Sequence, residues 1–178
     1  MQIKVLRLGH RPFRDKRVTT HLMLAARAFG SSESFYTGTK DISVEDTVRK
    51  VVRDWGGDFE IVFCKSWRSA VGDWKNRGKI VHLTMYGLPI QDVISTIREN
   101  PADKLVIVGG AKVPGEIFSI ADWNVAVTSQ PHSEVSALAV FLHMLLEGKE
   151  MELSFEGARL RIVPQKMGKK VDHYPSNV

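Results

Sequence analysis

The stretch Leu105-Val-Ile-Val-Gly-Gly-Ala-Lys-Val-Pro114, followed by Asn124-Val-Ala-Val-Thr-Ser-Gln-Pro-His-Ser-Glu-Val-Ser136, decides the fold class of this chain. Each part begins with a short apolar run containing β-branched residues, which is typical of a buried strand. Each run is followed by a loop, Gly109-Gly110 in one case and Thr128-Ser-Gln-Pro131 in the other. Because ligands bind where the strands of an open α/β sheet end, the two loops predict one shared pocket. The alternative is a pair of ordinary strand-to-helix turns.

Strand-like and helix-like segments alternate around this stretch. The pattern predicts strands at 3–8, 59–64, 79–84, 105–108 and 124–127. It predicts helices at 19–29 (capped by Thr19 or Thr20), 44–55 (capped by Ser43), 66–75, 89–99, 114–121 and 133–147. Such alternation favours an α/β fold with a mainly parallel sheet and helices on both faces. We assign residues 1–150 to one domain and 151–178 to a C-terminal extension, a small β-hairpin turning at Glu156-Gly157 followed by a polar, basic, loosely ordered tail.

The composition is that of one globular domain: 178 residues, 43% hydrophobic and 25% charged. No apolar run approaches the roughly 20 residues that span a bilayer, and the N-terminus lacks a signal-peptide pattern. We therefore expect a cytoplasmic protein without a membrane partner. Because Cys64 is the single cysteine, an intrachain disulfide and a Cys-rich zinc site are excluded. Its position in an apolar run predicts a buried thiol in a strand. No spacing of His, Asp and Glu predicts a metal site.

Positive charge is concentrated at the two ends of the chain, whose net charge is +5. Residues 1–20 hold six Lys and Arg against one Asp, and residues 151–178 hold five against three acidic residues, whereas the middle of the chain is slightly acidic. This asymmetry predicts a polyanionic partner such as nucleic acid. A solvated basic surface is the alternative.

A dense basic motif, Arg14-Asp15-Lys16-Arg17, is expected just before the first helix. Arginine forks suit phosphate groups, and the N-terminus of a helix favours anions. His21, in the first turns of that helix, becomes a candidate proton carrier beside these arginines. A solvated basic loop with a structural histidine is the other interpretation.

Three further motifs follow predicted strands: His82-Leu-Thr-Met-Tyr-Gly87, Val108-Gly-Gly-Ala-Lys112 and Gln130-Pro-His-Ser-Glu-Val-Ser136. The second has neither P-loop nor dinucleotide-fingerprint spacing, although its glycine pair would let a flat ligand lie close to the backbone. The third contains no nucleophile elbow, so a serine hydrolase is not indicated, and Ser133 can serve simply as a helix cap.

Taken together with Leu6-Arg-Leu-Gly-His-Arg-Pro-Phe-Arg-Asp-Lys-Arg17, Thr20-His21 and Ala26-Arg-Ala-Phe-Gly30, these motifs resemble the archaeal tRNA (cytidine(56)-2′-O)-methyltransferases. That family belongs to the SPOUT superfamily of knotted methyltransferases. The resemblance covers essentially the whole chain. It implies a deep trefoil knot in the C-terminal part of the fold, a homodimer, tRNA as substrate and S-adenosylmethionine as methyl donor.

The resemblance also implies that three loops hold the donor, largely through their backbone: 83–87, 108–112 and 127–136. The residues it assigns to donor binding are Leu83, Met85, Gly87, Val108, Gly109, Gly110, Ala111, Lys112, Val127, Gln130, His132, Ser133 and Ser136.

One departure from the superfamily pattern bears on the catalytic assignment. Many of its ribose methyltransferases carry an Asn and an Arg before an aromatic-Gly pair, but no Asn lies between Arg17 and the Phe29-Gly30 pair here. The candidates that remain are Arg14, Arg17, His21 and Arg27. We expect Arg17 to orient the ribose or its phosphate and to stabilise the developing oxyanion, with His21 as the alternative base.

Two other classes of function stay open at this stage. A nucleotide-binding oxidoreductase is disfavoured by the missing dinucleotide fingerprint. An RNA-binding protein on the same scaffold would show salt-dependent RNA affinity without methyl transfer, and a methyltransferase could also act on another RNA. The tail, with its Arg and Lys residues, could contact RNA or a partner subunit.

Overall fold

A computed structural model of the chain describes residues 1–110 and 112–174 and contains one parallel sheet of six strands. In sheet order these are β3-β2-β1-β5-β4-β6. Their bounds are β1 Ile3–His10, β2 Glu33–Gly38, β3 Glu60–Phe63, β4 Gly78–Pro89, β5 Asp103–Gly109 and β6 Trp123–Ala126. All five strand pairings are parallel, so every strand ends at the same edge of the sheet. The predicted α/β class is confirmed.

Helices cover both faces of this sheet, as predicted. They are α1 Pro12–Ala28, α2 Ile42–Trp55, α3 Trp67–Lys75, α4 Ile90–Glu99, α5 Gly115–Ile120 and α6 Glu134–Leu146. One buried apolar cluster joins the sheet to α1, α2, α4 and α6, and a second joins it to α3 and α5. The central strands are apolar on both faces, for example Leu105, Val106, Ile107 and Val108 in β5. A strand buried on both faces has this continuous pattern.

Strand β2 was not predicted from the sequence. Its residues, Glu33-Ser-Phe-Tyr-Thr-Gly38, form no sustained apolar run or regular alternation. The strand conformation is instead stabilised by backbone pairing on both sides, since β2 pairs with both β1 and β3. The fully buried Tyr36 keeps its hydroxyl satisfied by donating to a carboxylate oxygen of Glu45, 2.7 Å away.

Helix α1 begins seven residues earlier than its first predicted cap, so the prediction of Thr19 or Thr20 as N-cap is wrong. Pro12 occupies the first helical turn, where its missing N–H costs nothing, and Arg11 precedes it. The two threonine hydroxyls have other partners: Thr19 Oγ1 lies 2.7 Å from His10 Nδ1, and Thr20 Oγ1 donates to the Lys16 carbonyl. The basic motif 14–17 is therefore inside the helix rather than before it.

Helix α2 also begins earlier than predicted, because Asp41 and not Ser43 is its N-cap. An Asp41 carboxylate oxygen accepts from the backbone N–H groups of Ser43 and Val44 at 3.0 and 3.4 Å. The remaining predicted helices and strands agree with the structure to within a few residues, apart from β4, which extends to Pro89.

The C-terminal hairpin exists, but the turn at Glu156-Gly157 precedes it and does not join its two strands, contrary to the prediction from the sequence. The antiparallel pair is formed by β7 Leu160–Ile162 and β8 Val171–His173, after a 3₁₀ turn at Lys149–Glu152. Part of the tail predicted to be loosely ordered is thus a strand, while its last residues, 175–178, and Ala111 lie outside the described residues. The trefoil knot stays a prediction with which the strand order agrees. In residues 1–110 and 112–174 no helix has the length and apolarity needed to cross a membrane.

Candidate active site

A cavity of about 830 Å³ lies where β4, β5 and β6 end, at the edge where the sequence predicted a shared pocket. Its volume falls within the range of roughly 300–1,000 Å³ typical of small-molecule sites. Of the residues predicted to bind the donor, those in its lining are Leu83, Met85, Val108, Gly109, Gly110, Lys112, Val127 and His132. The structure therefore brings together residues from all three predicted loops.

Four predicted donor-binding residues, Gly87, Gln130, Ser133 and Ser136, are outside this lining. Ser133 is the N-cap of α6, where its Oγ accepts from the Val135 N–H at 3.2 Å. The Ser136 hydroxyl donates to the Ser133 carbonyl within the same turn. Ala111 lies in the same loop as the lining residues Gly110 and Lys112 but outside the described residues.

Gly87 shapes the cavity through packing. Leu83 and Leu88 of β4 are both paired with Val125 of β6, so residues 84–87 form an excursion from the strand. A Cβ on Gly87 would lie 2.5 Å from the Asn124 carbonyl group and the Val125 nitrogen. Only glycine fits at this crossing. The excursion directs Thr84, Met85 and Tyr86 towards the cavity.

The glycine pair after β5 forms another part of the wall. A Cβ on Gly109 would overlap the Val113 side chain, and one on Gly110 would lie 3.3 Å from Glu134 Oε1. The absence of side chains at these positions lets the backbone come close to whatever occupies the cavity.

His82 presents an unpaired acceptor in the cavity wall. Its Nδ1 lies 2.8 Å from Asn124 Oδ1, and the Asn124 amide is oriented by donating from Nδ2 to the Phe118 carbonyl at 2.9 Å. Nδ1 therefore donates, and the buried Nε2 is an acceptor with no hydrogen-bond partner in the described part of the chain. Burial lowers the pKa of His82 from its ordinary value, which keeps the ring neutral.

Arg7 and Glu134 form an ion pair at the rim that sequence reasoning did not find. The Arg7 side chain is 1% exposed, and its Nη2 lies 3.3 Å from Glu134 Oε2 and 3.9 Å from Asp15 Oδ2. Glu134, in the first turn of α6, lines the cavity. Burial lowers the pKa of Arg7 and the Glu134 charge opposes that shift, so the guanidinium remains a cation. The sequence feature that could have indicated a buried charge is the position of this arginine between Leu6 and Leu8 in an apolar strand.

The three predicted catalytic residues lie on α1, which begins at the same edge of the sheet as the cavity. Arg14, Arg17 and His21 have the spacing i, i+3 and i+7, which places them along one side of the helix, and all are exposed. The side chains of Arg14 and Arg17 make no hydrogen bond or ion pair with residues 1–110 or 112–174. They are therefore available to an anionic ligand.

Arg27, the fourth candidate, has a structural role. Its buried guanidinium donates from Nη2 to the carbonyls of Trp55 and Gly56, at 2.9 and 2.6 Å. Those two carbonyls belong to the C-terminal end of α2, which leaves carbonyl groups without helical partners. Across the described residues no group of three or more His, Cys, Asp or Glu side chains is placed to hold a metal ion.

Two solved structures show what this fold resembles. A TrmH/SpoU tRNA modifying enzyme of A. aeolicus has a TM-score of 0.62 at 15% identity, over 85% of this chain and 77% of that chain. The SpoU methyltransferase AviRb of Streptomyces viridochromogenes, in complex with AdoMet, has a TM-score of 0.57 at 16% identity, over 82% and 57% of the two chains. The fold is thus that of the SpoU-type methyltransferases, the SPOUT class.

The sequence is more specific than the fold. Residues 55–172 match the family described as tRNA ribose 2′-O-methyltransferase, aTrm56. The tRNA (cytidine(56)-2′-O)-methyltransferase of Methanothermobacter thermautotrophicus is 55% identical over 170 residues, 95% of each chain. That of Methanopyrus kandleri is 56% identical over 170 residues, 94% of each chain. The chain belongs to the tRNA (cytidine(56)-2′-O)-methyltransferase family.

Proposed function

We propose that this protein transfers a methyl group from S-adenosylmethionine to the ribose 2′-hydroxyl of cytidine 56 in the T-loop of tRNA. Family membership over nearly the whole chain is the observation that carries the proposal. The cavity where three parallel strands end supports binding of the donor there, and the exposed arginines of α1 support binding of RNA. We expect this activity in the cytoplasm, where tRNA is found.

The cavity fits the donor in its dimensions and in its chemistry. When bound, the donor supplies an electrophilic methyl group on a sulfonium sulfur. The backbone at Gly109 and Gly110 can lie against a flat adenine ring, and the side chains of Leu83 and Val108 offer apolar contact. The unpaired Nε2 of His82 can accept a hydrogen bond from a donor N–H or O–H group. Glu134 adds a carboxylate suited to a positively charged group.

The arginines of α1 would act on the RNA. Arg17 orients the target ribose through an adjacent phosphate and stabilises negative charge on the 2′-oxygen as its proton leaves. Arg14, one helical turn away, holds a neighbouring phosphate. His21 is the alternative proton acceptor, since an imidazole ring can offer an acceptor nitrogen whereas a guanidinium group has none.

We further propose that the active form is a homodimer, with residues 1–150 as the methyltransferase domain and 151–178 as its extension. Apolar side chains that a second subunit would cover are exposed on the face that carries the basic motif, Phe13 at 107% and Val18 at 37%. Phe13 immediately precedes Arg14, so a partner seated there would lie beside the bound RNA. Light scattering of the full-length protein measures the mass of the assembly and so distinguishes a dimer from a monomer.

The test is methyl transfer from labelled S-adenosylmethionine to an unmodified tRNA transcript, followed by digestion to nucleosides. Label in 2′-O-methylcytidine is expected, and a transcript with 2′-deoxycytidine at position 56 should accept none. Label in a base or at another ribose would overturn the assigned target while keeping the reaction class. Absence of label, with donor and tRNA both shown to bind, would overturn the enzyme assignment in favour of an RNA-binding protein.

A further inference from the structure

A second cavity, of about 640 Å³, lies between the C-terminal end of α2 and the C-terminal hairpin. We call it the hairpin cavity. The side chains that give it its chemistry are Arg53, Phe155, Glu156, Arg159, Arg161 and Tyr174. Because α2 starts where β2 ends and runs back along the sheet, this cavity lies at the edge opposite the donor site.

Backbone hydrogen bonds hold the walls of the hairpin cavity in place. The Gly57 N–H donates to the Glu156 carbonyl at 2.7 Å, and the Arg159 N–H donates to the Asp54 carbonyl at 3.0 Å. The Tyr174 N–H in turn donates to the Arg159 carbonyl at 2.8 Å. The two chain segments therefore define a fixed concave surface.

Close packing at the base of the hairpin cavity also holds its walls together. Gly56 has a left-handed φ of 79°, and a Cβ there would lie 2.5 Å from the Glu156 carbonyl oxygen. The buried Arg27 guanidinium, which holds the end of α2, also lies 4.4 Å from the centre of the Phe155 ring. Stacking of this kind joins α1, α2 and the extension into one unit.

The lining of the hairpin cavity contains three arginines, Arg53, Arg159 and Arg161, and one glutamate. Arg159 and Arg161 are exposed, and within residues 1–110 and 112–174 no carboxylate lies within ion-pair distance of either guanidinium. Arg53 lies 3.6 Å from Asp54, and Glu156 is the acidic residue in the lining. The Arg161 guanidinium lies 5.6 Å from the centre of the Tyr174 ring, whose residue is 45% exposed.

We propose that the hairpin cavity is a second RNA-binding site, which takes a backbone phosphate and an adjacent unstacked base of the tRNA substrate. Arg159 and Arg161 would bind the phosphate, because guanidinium forks match its oxygens. Tyr174 would stack on the base, as exposed aromatic rings do in proteins that bind single-stranded RNA. The proposal rests on tRNA being the substrate, as proposed above.

The position of the cavity explains why its ligand would be a macromolecule. Helix α1 carries Arg14 and Arg17 in its first half, His21 just past its midpoint and Arg27 in its last turn. Its 17 residues span about 25 Å at 1.5 Å per residue. One folded tRNA can reach both ends of that distance, so the two sites would together recognise its shape.

The first test measures affinity of the full-length protein for unmodified tRNA across a series of salt concentrations. The double variant Arg159→Ala/Arg161→Ala should bind at least about tenfold more weakly and lower the salt slope by about 1 per arginine lost. The matched control is Lys166→Ala/Lys169→Ala, which removes the same charge from the hairpin outside the cavity. Equal losses in the two double variants would overturn the proposal, because they would indicate diffuse attraction.

The second test separates stacking from charge at Tyr174. Tyr174→Ala should weaken tRNA binding by about fivefold or more while leaving the salt slope unchanged, and Tyr174→Phe should bind like the parent protein. Equal affinity of Tyr174→Ala and the parent would remove the stacking role. Because the side chain is exposed, thermal unfolding of both variants should match the parent.

Failure of this proposal is distinct from failure of the proposed function. Donor affinity, measured by calorimetry, should be the same in all these variants, since the donor cavity lies at the other edge of the sheet. If the parent protein methylates cytidine 56 but all variants bind tRNA equally, the proposed function stands and the second site does not. If the arginine variant changes mass in light scattering and tRNA affinity is retained, the hairpin serves subunit contact and the proposal is overturned.

Discussion

The guanidinium of Arg7 lies 3.3 Å from the carboxylate of Glu134, and this pair joins the centre of the sheet to the wall of the donor cavity. Arg7 belongs to β1, and Glu134 to the first turn of α6. Asp15 of α1 shares the same guanidinium at 3.9 Å. Three elements that meet at the site are thereby held by one buried cation.

Removing the Glu134 charge should destabilise the fold. Glu134→Gln leaves the buried Arg7 guanidinium with Asp15 as its remaining counter-ion, at a cost of about 2–4 kcal/mol in the free energy of unfolding. Glu116→Gln is the matched control, since it breaks an ion pair with Arg68 in which both side chains are more than half exposed and should cost under about 1 kcal/mol. Urea unfolding measures both, and equal costs would contradict a role for burial.

Replacing Arg17 by alanine should abolish transfer without weakening donor binding. The side chain is exposed and lies on α1, outside the lining of the donor cavity. We expect kcat/KM to fall by at least about 100-fold, as for loss of a group that stabilises an oxyanion. Arg49→Ala, an exposed arginine of α2, is the control. Unchanged turnover in Arg17→Ala would exclude this residue from the mechanism.

Gly87→Ala should destabilise the protein and weaken donor binding together. Its new methyl group would meet backbone atoms of Asn124 and Val125, which cannot rotate away as a side chain can. Overpacking of this kind costs about 1–3 kcal/mol. Gly115→Ala, where nothing lies within 4 Å of the added Cβ, is the matched control and should be neutral. A thermal unfolding curve unchanged in Gly87→Ala would contradict the close packing of β4 on β6.

Stability should fall as the pH drops from 7 to 5. Burial lowers the pKa of both His82 and His10 in the folded protein. Below about pH 6.5 the unfolded chain therefore takes up protons that the folded chain does not, and the unfolded state is favoured. This pH range, from 7 to 5, lies above the range in which carboxyl groups ordinarily titrate. His82→Gln should show a shallower decrease in the free energy of unfolding, and identical pH dependence in the two proteins would contradict the burial argument.

Local patterns were sufficient to predict most of the fold. Continuous apolar runs and helical spacing identified five of the six strands and every helix, because burial on both faces imposes those patterns directly. The errors fall where long-range contacts decide. The sequence around Thr19 resembles a helix N-cap, but in the structure the Thr19 hydroxyl lies within hydrogen-bond distance of His10. Strand β2 is extended because it pairs with a strand on each side.

The position of the cavity was predictable from the sequence to a similar extent. A cavity formed by the excursion at 84–87 in β4 and by the loops after β5 and β6 follows from the topology, since parallel strands end at one edge. Arg7 could not be identified in the same way, because a charged residue in a strand is expected to face solvent. Its counter-ion, Glu134, lies 127 positions further along the chain, and no local pattern joins the two.

The pairing of Leu83 and Leu88 with the same residue, Val125, anchors one wall of the donor cavity at both of its ends. The segment between them is closed at its base by one neighbouring strand, so it cannot swing outward as a hinged lid does. This wall would therefore present the same shape to each donor molecule that enters.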